Sequence, residues 1–162
     1  FFLSGGQIDG SANINLTGIG SYPTQHTRWS GSFGSAYLYF LIPKVILFRE
    51  RHTRQTLVDS VDFVSSPGTS PKHVYRPGGP SHLVTNLCVF DFNKDEKRFS
   101  LKTIHPGHTL EEVLDNTAFD FKYHPRPEIT KLPTPSTLSL LRKEVSPKVH
   151  EVYPDFATKL WP

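Results

Sequence analysis

Four consecutive apolar residues, Val45-Ile46-Leu47-Phe48, limit what this chain can become. A strand with one wet face alternates polar and apolar side chains, whereas an unbroken apolar run marks a strand covered on both faces. Strands of that kind sit in mostly parallel sheets with other elements packed above and below. The expected fold is therefore α/β, an open mostly parallel sheet with hairpin insertions and short helices. Fourteen prolines and eleven glycines in 162 residues imply many turns and few long helices. Apolar residues at 36% and aromatics at 12% are enough for a packed core and argue against wholesale disorder.

Local signals fill in the rest. Phe1 to Ile8 reads as an apolar strand, and Asp9-Gly10 favours a tight turn into a second strand, Asn13-Ile14-Asn15-Leu16-Thr17, paired back as a hairpin. Residues 18–32 form a loop rich in Gly, Ser, Pro and His, followed by a short helix over 34–41 that Pro43 stops. Alternation at Leu57, Val58, Val61 and Phe63 predicts one or two strands within 56–64, and 65–80 is a loop. Strands are expected over 83–92 and 99–104, on either side of the polar turn 93–97. Thr109-Leu110-Glu111-Glu112 fits a capping box that opens a helix running to about Asn116. Phe119-Asp120-Phe121 reads as a short strand, 124–135 as a proline-rich connection and 137–144 as a second short helix. Residues 1–162 are read as one domain, with 122–162 a proline-rich extension packing on it. No methionine occurs and the chain opens on Phe1-Phe2-Leu3, so the fold is expected to be incomplete at its N-terminus.

Several functional classes find little support. Net charge is +3, but Lys and Arg are scattered, and the densest basic run, Arg49 to Arg54, is interrupted by Glu50. Nucleic-acid binding is not expected, although a basic edge that receives a phosphate-bearing cofactor stays open. No run of 18 apolar residues exists, so no membrane helix is expected. Cys88 lies in the apolar run Val84 to Phe90, where a thiol acts as a small buried hydrophobe; it has no cysteine to pair with, and the cytoplasm is the expected setting. The eight histidines form no i,i+4 pair and no short cluster, so no metal site is expected.

In order along the chain stand Gly6-Gln7-Ile8-Asp9, Ala12-Asn13-Ile14-Asn15, Arg28-Trp29-Ser30-Gly31-Ser32-Phe33-Gly34-Ser35-Ala36, Val61-Asp62-Phe63-Val64 and Gly79-Pro80. Val84 to Phe92 and His105-Pro106-Gly107 through Glu111-Glu112-Val113, Asn116-Thr117 and Phe119 follow. This order resembles the β subunits of the glutaconate CoA-transferase type, in CoA-transferase family I, whose pattern has a Gln-Ile-Asp, a Gly-Asn-x-Asn and an Arg-x-x-Gly-x-Gly-Gly loop. The resemblance implies coenzyme A as acyl-CoA substrate, an α-subunit partner in an α2β2 assembly, and an active site shared between the subunits. It also implies a nucleophilic glutamate that attacks the thioester and becomes a glutamyl-CoA thioester. That glutamate is expected upstream of Phe1, so no catalytic residue is assigned within the chain.

Gly31, Ser32, Phe33 and Gly34 form the candidate oxyanion or acyl-CoA loop. Backbone N–H groups of a glycine-rich turn can converge on a developing oxyanion, although the same spacing also suits an ordinary strand-to-helix turn. Phe33 departs from the family's Gly-Gly and puts a large ring in a loop that favours positive φ. Gln7, Asn13, Asn15 and Arg28 are the candidate substrate-binding residues. An amide can hold a carboxylate or thioester oxygen or satisfy its own turn, and Arg28 can bind a carboxylate or simply face water. CoA transfer is the leading expectation. Acyl-CoA hydrolysis or C–C cleavage with the key group on the partner, and a non-catalytic scaffold subunit, are the alternatives.

Overall fold

The computed structural model describes residues 1–161, which divide into two compact units, Phe1–Thr130 and the segment from Lys131 onward. A six-stranded sheet organises the first unit. Its strands are β1 (Phe2–Leu3), β6 (Val45–Phe48), β7 (Pro80–Val84), β8 (Cys88–Asn93), β9 (Arg98–Ile104) and β10 (Glu128–Ile129), adjacent in that order. Pairing is parallel for β1–β6, β6–β7 and β9–β10, and antiparallel for β7–β8 and β8–β9. Two small antiparallel ribbons sit beside it: β2 (Gln7–Ile8) with β3 (Ile14–Asn15), and β4 (Gly18–Ile19) with β5 (Thr27–Arg28). The expected α/β class is what the chain adopts. Val45 and Leu47 on one face of β6 are fully buried between parallel neighbours, but on the other face Ile46 is only partly covered and Phe48 is half exposed, so the apolar run is covered completely on one face and not on both.

Strand β8 alternates inward Cys88, Phe90 and Phe92 with outward neighbours, and Phe99 of β9 meets them. Phe90 lies 5.0 Å from Phe121, Phe92 lies 5.0 Å from Phe99, and Phe99 stacks on Phe119 at 5.5 Å. Such ring pairs add about 0.5–1.5 kcal/mol each beyond their area burial, and the cluster joins β8 and β9 to the rings of Phe119 and Phe121.

Two helices belong to this unit, α1 (Ser35–Leu41) and α2 (Leu110–Asn116). Helix α1 ends two residues before Pro43, and the Tyr39 hydroxyl fixes it by donating to Ala12 O at 2.8 Å. Thr109 caps α2 by accepting from Glu112 N at 3.1 Å. The return half of the capping box is absent, because the Glu112 carboxylate instead meets His108 Nδ1 at 2.9 Å. The second unit comprises α3 (Pro135–Leu140), a π-helical turn over Leu141–Val145, α4 (Ser146–Val152) and α5 (Pro154–Leu160).

Four local expectations need correction. The first strand is broken at Ser4-Gly5-Gly6, where only glycine fits: a Cβ on Gly6 would lie 2.1 Å from the Trp29 ring and one on Gly5 would lie 2.3 Å from Ile14 Cγ2. Residues 56–64 form no strand; Ile8 N donates to Thr56 O and Val58 N to Ile8 O, and this single bridge lets Leu57 plug the core. The strand expected over 83–92 is two strands, since Thr85 Oγ1 accepts from Leu87 N and Cys88 N and turns the chain. Phe119 to Phe121 is irregular backbone whose rings fill the core, and the edge strand is Glu128–Ile129 instead. In the β2–β3 turn, Ala12 rather than Gly10 takes positive φ, at 58°. Asp9 Oδ1 holds that turn by accepting from Ser11 N and Asn13 N, each at 3.0 Å.

Candidate functional site

Parallel strands β1 and β6 end side by side, and the crevice beyond their carboxyl ends is where open α/β sheets bind ligands. Strand β1 runs out into Ser4-Gly5-Gly6 and β6 into Arg49. With Leu16, Trp29, Ser30 and Gly31 these residues line a cleft of about 300 Å³. Arg49 Nη1 donates to Gly5 O at 2.9 Å, and its buried Nε finds no partner. Burial lowers the pKa of its guanidinium, against the opposing pull of Glu50. Sequence reasoning registered Arg49 only as part of a basic run. Its place directly after the apolar strand Val45–Phe48 puts it at that strand's carboxyl end, in the cleft wall.

The glycine loop enters from β5. Gly31 has φ 97° and Phe33 φ 45°, and a Cβ on Gly31 or Gly34 would meet nothing within 4 Å. Ser35 N and Ser35 Oγ both donate to Ser32 O, which closes the turn into α1. Helix α1 starts without a side-chain cap, so its first N–H groups carry the usual orphan donors of a helix start. Phe33 turns its ring to solvent at 88% exposure and adopts the positive φ that its bulk disfavours, at an expense of about 1–2 kcal/mol. The loop is thus open, glycine-hinged and partly strained. Gly31 lines the cleft itself.

The other candidates lie elsewhere. Asn15 is fully buried and donates to Gln7 Oε1 and Gly18 O, both at 2.7 Å, while its Oδ1 accepts from Thr17 N at 2.9 Å and Gly18 N at 3.3 Å. Gln7 Oε1 also accepts from Asp62 N at 3.0 Å. Asn13 Nδ2 donates to Asp9 Oδ2 and Asn13 Oδ1 accepts from Gly68 N, both at 3.0 Å. These three amides tie the hairpin to residues 18, 62 and 68. Arg28 is exposed, donates to Gln25 Oε1 at 2.7 Å and lies 5.8 Å over the Tyr22 ring. The structure brings Gln7 and Asn15 together but places neither among the cleft-lining residues.

Cys88 and His52 approach to 3.8 Å but do not form an activated pair. Burial pushes the Cys88 thiol up to about 12, against a lowering hydrogen bond from Thr85, and pushes His52 down to about 4. Neutral His52 is held by Thr85 Oγ1 at 2.9 Å and Thr117 Oγ1 at 2.8 Å. A thiol raised this far is not a nucleophile. His105 extends the same network, with Nε2 3.0 Å from Thr85 O and Nδ1 2.9 Å from Thr130 Oγ1. Among the described residues no group of His, Cys, Asp and Glu is arranged to hold a metal ion, and no helix is long and apolar enough to cross a membrane.

An open α/β layer with a glycine-hinged cleft at its strand ends defines a broad class of ligand-binding folds. Similarity to known proteins narrows it. The family model for coenzyme A transferase matches residues 1–116, and the chain belongs to that family. The B-type subunit of glutaconate CoA-transferase from Acidaminococcus fermentans is 31% identical over 153 residues, which cover 90% of this chain and 56% of the relative. The crystal structure of that organism's glutaconate CoA-transferase covers 91% of this chain with a TM-score of 0.78, at 30% identity and over 58% of its own chain. The B-type subunit of 3-oxoadipate CoA-transferase from Pseudomonas knackmussii is 31% identical over 147 residues, 87% of this chain and 56% of its own length. The IpdB subunit of the cholesterol ring-cleaving hydrolase from Rhodococcus jostii is 29% identical over 150 residues, 90% of this chain and 59% of its own length. The chain thus spans a little over half the length of these curated relatives.

Proposed function

We propose that this chain is the C-terminal part of a B-type subunit of an acyl-CoA-processing enzyme, moving CoA between an acyl-CoA and a mono- or dicarboxylic acid. The family match over residues 1–116, which takes in the whole glycine loop, carries this reading. In it the acyl-CoA thioester approaches the cleft beyond β1 and β6. The amides of Gly31, Ser32, Phe33 and Gly34 stand nearest the charge that develops on the thioester oxygen, and donors fixed in advance stabilise such a charge without reorganising. Arg49 supplies a fixed cation at the cleft wall. Gln7, Asn13 and Asn15 hold the hairpin behind it, with Arg28 at the outer rim as the candidate for a substrate carboxylate. The nucleophilic glutamate belongs to sequence before Phe1. An A-type subunit, as in the two-subunit relatives, completes the site in an α2β2 assembly, with no metal taking part, in the cytoplasm.

Phe33 favours one second reading. The family's Gly-Gly is replaced here by Phe33-Gly34, and one relative is named a ring-cleaving hydrolase. On that reading the cleft binds acyl-CoA and water or a C–C bond is the reacting partner. Incubating the assembled enzyme with acyl-CoA and then borohydride separates the two. Transfer predicts a reduced glutamyl adduct and loss of activity; full activity after borohydride, with CoA released to water, excludes it.

A further inference from the structure

We propose that the pocket between the 68–78 loop and the β8–β9 turn binds a small phosphate-bearing anion. It has a volume of about 250 Å³ and is lined by Ser70, Lys72, Arg76, Lys94, Asp95 and Lys97, among others. That is room for roughly eight waters at ~30 Å³ each, enough for a phosphate group and part of its attachment. The charge is concentrated. The chain has 18 Lys and Arg against 15 Asp and Glu. Setting aside these four cations and Asp95 leaves 14 cations facing 14 carboxylates, so the whole net charge of +3 resides in this lining. No ion pair among the described residues involves any of the four cations.

Arg76 is fixed by neutral partners alone. Its Nη1 donates to Pro67 O at 2.8 Å and to Ser70 Oγ at 3.5 Å, and its Nη2 to Tyr39 O at 3.0 Å. The guanidinium packs 5.1 Å from the Tyr39 ring centroid and 5.8 Å from that of Phe40, and Nε is without a partner. Carbonyls and rings orient the fork without neutralising it. Lys94 and Lys97 stand on a turn that Asn93 Oδ1 rigidifies by accepting from Asp95 N and Glu96 N at 3.0 Å each, with Lys97 itself at φ 55°. One fixed guanidinium charge and three exposed ammonium groups beside hydroxyl donors match a dianion with three terminal oxygens better than a single carboxylate. A compact patch of four cations, with no aromatic among its lining residues, suits a small molecule and not an extended nucleic-acid backbone.

This site is separate from the cleft at Gly31 and stands without the acyl-CoA reading. Its ligand is either the phosphates of a CoA nucleotide or a free phosphorylated metabolite. The test is titration of the purified full-length assembly with inorganic pyrophosphate, followed by calorimetry at low and at 0.15 M salt (roughly an 8 Å Debye length). Saturable binding that weakens with salt, and weakens roughly tenfold or more in Lys94→Glu and Lys72→Glu, is expected. A Lys148→Glu control in the second unit should bind as the parent, and unchanged melting temperatures certify the folds. Displacement of pyrophosphate by CoA assigns the nucleotide as source, through its 3′-phosphate if 3′-dephospho-CoA fails to displace and through its diphosphate if both displace; no displacement by either assigns a free metabolite. Absence of saturable pyrophosphate binding, equal binding in Lys94→Glu, or a site that binds only RNA overturns the proposal.

Discussion

The β2–β3 hairpin and the Gly31–Gly34 loop are built from similar small and polar residues, yet they use them in opposite ways. In the hairpin both asparagine side chains are occupied: Asn15 makes four hydrogen bonds at zero exposure, and Asn13 bridges Asp9 to Gly68. In the loop the backbone is bent through positive φ at Gly31 and Phe33, with empty space around Gly31 and Gly34. Polar groups that neighbours saturate make structure, whereas groups left over at an open surface are available to a ligand. The contrast gives the hairpin its rigidity and leaves the loop backbone open, which is where the proposed function puts the acyl-CoA thioester.

The largest way to break that contrast is Asn15→Leu. It removes the buried partner of Gly18 O, Thr17 N and Gly18 N and one of the two donors to Gln7 Oε1, and a loss of about 3–5 kcal/mol is expected. Urea denaturation measures it, and a loss under 1 kcal/mol would mean the hairpin is not saturated in the way described. Next comes pH. His52 titrates at about 4 in the folded chain and near 6.5 when unfolded, so the unfolded chain takes up a proton first. Stability from this group is complete above pH 6.5, falls as the pH drops below it, and is fully lost below about 4. The total is about 3 kcal/mol. Partly buried His82, whose pKa is also lowered, adds loss in the same direction. Melting temperatures followed from pH 7 to 4 should drop less steeply in His52→Gln than in the parent; equal slopes would refute the assignment.

The loop should respond mildly in stability and strongly in function. Gly31→Ala forces a Cβ onto φ 97° where nothing obstructs it, so only backbone strain of about 1–2 kcal/mol is expected, read by thermal melting. Acyl-CoA turnover should fall further than that stability change explains. Phe33→Gly has the smallest effect and the opposite sign. Relief of left-handed strain is partly offset by greater freedom of the unfolded chain, leaving a gain of at most about 1 kcal/mol. If the ring obstructs the thioester, turnover rises in the same variant; unchanged turnover removes Phe33 from the approach path.

Much of the scaffold was legible because short-range chemistry dictates it. The apolar run at Val45, the Asp9-Gly10 turn, the helix bounded by Gly34 and Pro43 and the Thr109 cap are each settled within a few residues of chain. Two of the misreadings share a cause. Leu57, Phe119 and Phe121 bear the apolar spacing of strands because they plug the core from loops, and periodicity cannot separate the two. Thr85 turned a continuous apolar run into two strands through its hydroxyl. The glycine loop was visible through its resemblance to a family pattern. The role of Arg49 and the four-cation pocket were not, because folding assembles them: Arg49 meets Gly5 and Trp29 only across strands, and Arg76 and Lys94 come together from different loops, away from the dense basic run that begins at Arg49.

The bare Cα of Gly6 beneath the Trp29 ring has an optical consequence. The chain holds two indoles, Trp29 in the cleft wall and Trp161 far along the chain in the second unit. Replacing Trp161 with Phe leaves a single emitter seated on the cleft. Its emission wavelength and its quenching by acrylamide then report ligand entry in real time, without a label and before any chemistry occurs.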